Sequence, residues 1–177
     1  MRPISEFVEQ LASQDLDGFL RSDPPSMLVA DISQYGYHSP DGTPGETQVR
    51  LLFRAEAKSR RAAGHRDRGR SAYMVFPVQA REQENQDRLL VGCSGKCDIR
   101  IEEASVSREH AWIEKIGDRY FIEDNRSTAG TMLDGVQLKP SLLVELKPWS
   151  RVTLGLFDMT FFDPVGFYQF VRKFGSA

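Results

Sequence analysis

The sequence predicts an all-β fold, a sandwich of about ten to eleven short strands with helical segments at both ends. Three observations carry that expectation. From Ser71 onward, short runs rich in β-branched and aromatic residues follow one another, broken by polar and glycine-containing turns. Two of those turns hold the residues that tight hairpins require: Gly117-Asp118 puts glycine first, as in type II′, and Asp134-Gly135 suits type I′. Side chains alternate around them, with Ala111 and Ile113 on one strand face, Tyr120 and Ile122 on another, and Val152 and Leu154 on a third.

Taken in chain order, residues 1–33 read as a helical and extended segment. Ile4, Phe7, Val8, Leu11, Leu16, Phe19 and Leu20 fall at roughly helical spacing, with Gly18 as a weak point. One or two short amphipathic helices fit, ending before "SDPP", because Pro24 disfavours helix in the residue before it. "SMLVADIS" reads as a short extended piece. Residues 34–70 are expected to be a loop and a basic linker: "QYGYHSPDGTPGETQ" is dense in turn residues, and "VRLLFRAEAKSRRAAGHRDRGR" starts as a helix and decays into a basic tail. Residues 71–163 hold the strands "AYMVFPVQ", "RLLVG", "DIRI", "HAWIEKI", "RYFIED", "TML", "VQL", "LLVEL", "RVTLG" and "DMTFF". Residues 164–177 form a C-terminal helix, with Phe167, Phe170, Val171 and Phe174 on one stripe.

Composition narrows the function classes. A chain of 177 residues, 40% hydrophobic, suits one domain with flanking segments. A net charge of −2 points neither to nucleic acid nor to an anionic membrane. The average hides a basic stretch: eight Lys and Arg residues between Arg50 and Arg70 face only Glu56 and Asp67. Two cysteines, Cys93 and Cys97, do not make a secreted disulfide framework. "MRPISEFVEQLASQ" is acidic where a signal peptide is apolar, and no apolar run reaches the length of a membrane span. The expected setting is the reducing cytoplasm.

The stretch "LLVGCSGKCDIRIEEASVSREHAWIEKIGDRYFIEDNRSTAGTMLDGVQL…RVTLG" resembles a forkhead-associated (FHA) domain. That family's pattern runs Gly-Arg, a strand, Ser-Arg-x-His, a hairpin, Asp-x-x-Ser-x-Asn-Gly-Thr, then Asn-Gly and a closing Leu-Gly. The resemblance covers about Tyr73 to Asp163 and implies a β-sandwich whose loops at one end bind phosphothreonine peptides, without catalysis. By matching position, it implies phosphate contacts from Ser107, Arg108 and Thr128. Gly92, Gly130 and Thr131 would shape the loops, and His110 would brace the loop ends. A hydroxyl donates to a phosphate oxygen, and a guanidinium does so with charge assistance. Taken singly, a serine in a turn bonds its own backbone and an arginine is solvated; the ordered pattern is what gives them weight.

Two positions depart from the family. Cys93 stands where arginine follows the glycine, and Ala129 stands where asparagine precedes Gly130. The arginine would support the phosphate, and the asparagine would hold the backbone of a bound peptide. A hydrogen bond to a charged group is worth about 1.5–3 kcal/mol, so losing one weakens binding roughly tenfold to a hundredfold. Arg108, Lys96 and Arg126 would compensate in part. The expectation is a degenerate FHA domain with weak, altered or absent phosphothreonine dependence.

Other chemistries find less support. Cys93 and Cys97 have three residues between them and no paired histidine motif, and tetrahedral zinc wants four ligands. Ser107 and His110 lack an acid partner and an oxyanion loop, and the chain has no nucleophile elbow, Walker loop or zinc helix. The expected function is therefore a non-catalytic protein–protein interaction module for a phosphothreonine-containing or acidic protein partner. No cofactor, metal, small-molecule substrate or membrane is implied. Two alternatives stay open: a phosphate-independent scaffold using another face of the sandwich, and binding of nucleic acid or an acidic partner through residues 50–70. The second lacks interleaved aromatics apart from Phe53, which argues against nucleic acid.

Overall fold

A computed structural model describes residues 2–32, 73–81 and 87–175. The loop and basic linker expected over residues 34–70, including the basic stretch 50–70, lies outside the described residues.

Among the described residues, twelve strands form two sheets. One sheet contains β1 (Arg2–Pro3), β2 (Met27–Asp31), β3 (Tyr73–Pro77), β8 (Thr131–Leu133), β9 (Val136–Gln137), β11 (Arg151–Leu154) and β12 (Phe157–Phe162). Its spatial order is β1-β3-β2-β12-β11-β8-β9. The other contains β4 (Arg88–Gly92), β5 (Ile99–Arg100), β6 (Ala111–Ile116), β7 (Arg119–Asp124) and β10 (Val144–Leu146), in the order β10-β7-β6-β4-β5. Every pairing is antiparallel except β4 with β5. The all-β sandwich that the sequence predicts is what the chain forms. Arg2–Pro3, which precedes the helical spacing that starts at Ile4, pairs with Val75 and Met74 and completes the twelve.

The alternation read from the sequence sets the core. Leu89 and Val91 of β4, Ala111 and Ile113 of β6, and Ile122 of β7 face Val152, Leu154, Phe157, Met159 and Phe161 of the opposite sheet. Both hairpin turns have the backbone their residues suit. Gly117 takes a φ of 60° alone, whereas Asp134 and Gly135 both lie at positive φ, 50° and 81°.

A helical layer covers the outer face of β3, β2 and β12. It consists of α1 (Ile4–Leu11), α2 (Leu16–Arg21) and the C-terminal α3 (Pro164–Gly175). Ile4, Phe7, Leu11, Phe19, Phe167 and Val171 pack there on Met27, Val29, Val75 and Phe162. Asp15 starts α2 by accepting a hydrogen bond from the Gly18 N–H at 2.7 Å. β2 is thus sandwiched: Leu28 and Ala30 enter the inter-sheet core while Met27 and Val29 meet the helices. No helix among the described residues is long and apolar enough to cross a membrane.

Candidate functional site

The loops after β4, β5, β7 and β11 meet at one end of the sandwich. Their approach begins at Gly92, the last residue of β4. A β-carbon there would lie 2.5 Å from the Arg108 carbonyl oxygen and 2.8 Å from that of Ser107, so only glycine lets the loops come this close. Backbone bonds then fix the register. Cys93 N–H donates to Ser107 O at 3.0 Å, and Ser94 N–H donates to Arg108 O at 3.1 Å. The buried Cys97 thiol also donates to Arg108 O, at 3.1 Å. Burial pushes that thiol's pKa up, consistent with an S–H that stays protonated.

The centre of the site is Ser107. Its Oγ accepts a hydrogen bond from the Thr128 N–H at 3.0 Å, joining the β5–β6 loop to the β7–β8 loop. The hydroxyl hydrogen is then available for an incoming acceptor. Beneath it His110 is fully buried. Its Nδ1 accepts from the Ser107 N–H at 2.8 Å, which makes Nε2 the protonated nitrogen that donates to Gly130 O at 3.1 Å. Burial holds the His110 pKa below the ordinary imidazole value, so the ring is neutral near neutral pH. Gly130, at φ 82°, also receives the Gly155 N–H on its carbonyl and gives its own N–H to Ser127 Oγ at 2.9 Å.

Two supporting groups were given no role in the sequence reading, although the first begins the Asp-x-x-Ser pattern quoted there. Asp124 is 1% exposed and accepts from Ser127 Oγ at 2.6 Å, Ser127 N–H at 3.2 Å and Thr131 Oγ1 at 2.7 Å. An aspartate three residues before a serine, at a strand end, is a turn signature that could have flagged it. The other is Glu103, whose carboxylate holds the backbone N–H of Ser105 at 2.7 Å and also its hydroxyl. Ser105 Oγ in turn accepts the Leu156 N–H at 2.7 Å, tying the β11–β12 turn to the β5–β6 loop. No local pattern links residues fifty-one positions apart.

Of the residues singled out in the sequence, Ser107, Thr128, His110, Gly92, Gly130 and Thr131 share this loop end. Arg108, Lys96 and Arg126 are exposed, and among the described residues none of their cationic heads has a hydrogen-bond or ion-pair partner. Arg126 sits at φ 53°, a left-handed position in the same loop as Thr128. At the two departures from the family, Cys93 is half-buried against the core and Ala129 is exposed. Neither side chain offers a charge or a carboxamide. Among the described residues no group of three or more His, Cys, Asp and Glu is placed to hold a metal ion.

With this geometry in view, the chain can be set beside known proteins. The family model for the FHA domain matches residues 89–155, and that stretch of the chain is an FHA domain. Protein FraH from Nostoc sp. is 40% identical over 57 residues, which is 32% of this chain and 20% of that protein. The chain therefore spans about a fifth of the length of this curated relative. Among solved structures, the N-terminal FHA domain from S. cerevisiae Rad53p in complex with a phosphothreonine peptide is similar. It is 20% identical, covers 54% of this chain and 89% of its own, and has a TM-score of 0.45. The FHA domain of CT664 protein from Chlamydia trachomatis is 25% identical over 51% of this chain and 85% of its own, with a TM-score of 0.43.

Proposed function

We propose that this FHA domain is a non-catalytic docking module that recognises a phosphothreonine-containing or acidic segment of a protein partner through the Ser107–Thr128 loop end. In this reading residues 71–163 are the interaction unit, and 1–33 and 164–177 jacket it. One observation carries the proposal. Ser107 Oγ bridges two loops by accepting from Thr128 N–H, which leaves its hydroxyl hydrogen for an outside anion. Arg108 beside it, with Lys96 and Arg126 on flanking loops, supplies cationic heads that no ion pair among the described residues uses.

Affinity for phosphothreonine is reduced in this reading, because Cys93 and Ala129 withhold a charge and a carboxamide. The test is restoration. The double variant Cys93→Arg with Ala129→Asn is expected to bind phosphothreonine peptides at least about tenfold more tightly, since each recovered charged hydrogen bond is worth about 1.5–3 kcal/mol. Adding Ser107→Ala to it should weaken binding again, and the unphosphorylated peptides should bind neither form. Titration calorimetry against paired peptide libraries reads all three. A folded double variant that gains nothing would show that the loops serve another ligand.

A further inference from the structure

We propose that Gln137 is an additional contact residue of this site, its carboxamide pairing with the main-chain N–H and C=O of the bound phosphopeptide. The inference rests on the docking function proposed above and adds a residue outside the loops that carry it. Gln137 lies on the edge strand β9, opposite Met132 of β8, and its neighbour Leu138 bonds to Thr131. That register fixes the backbone of Gln137 beside the end of the β7–β8 loop. Its side chain reaches the loop itself: a β-carbon added to Gly130 would lie 2.2 Å from Gln137 Nε2 and 3.1 Å from Cδ. The carboxamide therefore packs against Gly130 in space that any other residue's side chain would fill.

It packs there without bonding to the loop. The Gly130 N–H is taken by Ser127 Oγ, and the Gly130 carbonyl already receives His110 Nε2 and the Gly155 N–H. Gln137 is exposed, and among the described residues its carboxamide makes no hydrogen bond. What results is a polar group seated by contact with a braced loop, two residues along from Thr128, with its bonding capacity unspent. A carboxamide presents donor hydrogens and an acceptor oxygen side by side, the complement of one peptide unit; a lysine or a carboxylate would present only half of that. Because contact with Gly130 already limits its rotamers, less side-chain freedom is lost on pairing than for an unsupported glutamine.

The experiment uses the full chain and the tightest phosphothreonine peptide selected from a randomised library. Gln137→Leu keeps the bulk on an exposed edge strand and removes the hydrogen-bonding atoms. It is expected to weaken that peptide about three- to tenfold while leaving the thermal midpoint unchanged. In NMR titrations of the parent chain, the Gln137 side-chain amide signals should shift together with the backbone amides of Ser107 and Thr128. Shifts at Ser107 and Thr128 without any at Gln137, or unchanged affinity in Gln137→Leu, would overturn this inference and leave the docking function standing. A peptide that moves none of these signals would overturn both.

Discussion

The loop end of the sandwich and the helical layer on its flank are held together by opposite means. At the loop end, directional bonds dominate: His110 and Ser107 join the β5–β6 loop to the β7–β8 loop, while Asp124 and Glu103 each brace a single loop from within. No buried side-chain nitrogen or oxygen among the described residues lacks a partner. In the helical layer, contact is apolar and aromatic. Phe7 meets Phe167 edge-on at 5.2 Å, Phe162 and Phe170 lie 4.9 Å apart, and the Arg2 guanidinium sits 4.5 Å from the Phe7 ring centroid. Directional networks fix where atoms point, as a binding loop requires. Apolar layers supply free energy in proportion to buried area and tolerate small shifts. The first region should therefore control affinity and the second stability.

The largest expected effect breaks the flank. Phe167 is fully buried, and Phe167→Ala should cost about 3–5 kcal/mol of unfolding free energy. Urea denaturation would read this as a lower midpoint, while the affinity of the remaining folded molecules for peptide stays as it was. A parallel fall in affinity would mean that the helices and the loops are coupled. Next in size is Gly92→Ala. Its β-carbon would meet backbone oxygens at 2.5 and 2.8 Å, so the backbone rather than a flexible side chain has to yield. Overpacking of this kind costs about 1–3 kcal/mol. Because the displaced atoms belong to Ser107 and Arg108, peptide affinity should fall by more than the stability loss accounts for. An unaltered affinity would detach the loop geometry from Gly92.

The same contrast decides what could be read in the sequence. Period-two alternation exposed the inter-sheet core at Ala111, Ile113, Val152 and Leu154, since each of those strands has one buried face. The strand Met27–Asp31 has both faces covered, so its run Met-Leu-Val-Ala shows no alternation. A continuous apolar run does not say which layers enclose it. Its place between β3 and β12 is a tertiary fact. Arg2–Pro3 is too short to carry any periodic signal and pairs only because β3 offers an edge. At the loop end, the spaced motifs pointed to Ser107, His110 and Thr128, which the structure brings to one place. The tie from Ser105 to Leu156 was illegible because it joins positions distant in sequence, and Gln137 because its contact depends on an absent β-carbon at Gly130.

The most gradual effect sharpens the comparison through pH. His110 is buried and neutral, with Nδ1 accepting from Ser107 N–H, and burial lowers its pKa in the fold although Gly130 and Asp124 pull the other way. In the unfolded chain the same imidazole titrates near its ordinary value of about 6.5. Above that pH both states are neutral and the stability is present in full. As pH falls below about 6.5, the unfolded chain takes up a proton that the folded one resists, so stability declines until the folded pKa is reached. The mechanism at the site is explicit: a protonated Nδ1 would turn a second donor toward the Ser107 N–H and break the brace. Thermal melts between about pH 7.5 and 5.5 should therefore show a downward slope that is shallower in His110→Gln, whatever that variant's absolute stability, because glutamine does not titrate. Equal slopes in the two proteins would place the acid sensitivity elsewhere and would leave His110 as packing alone.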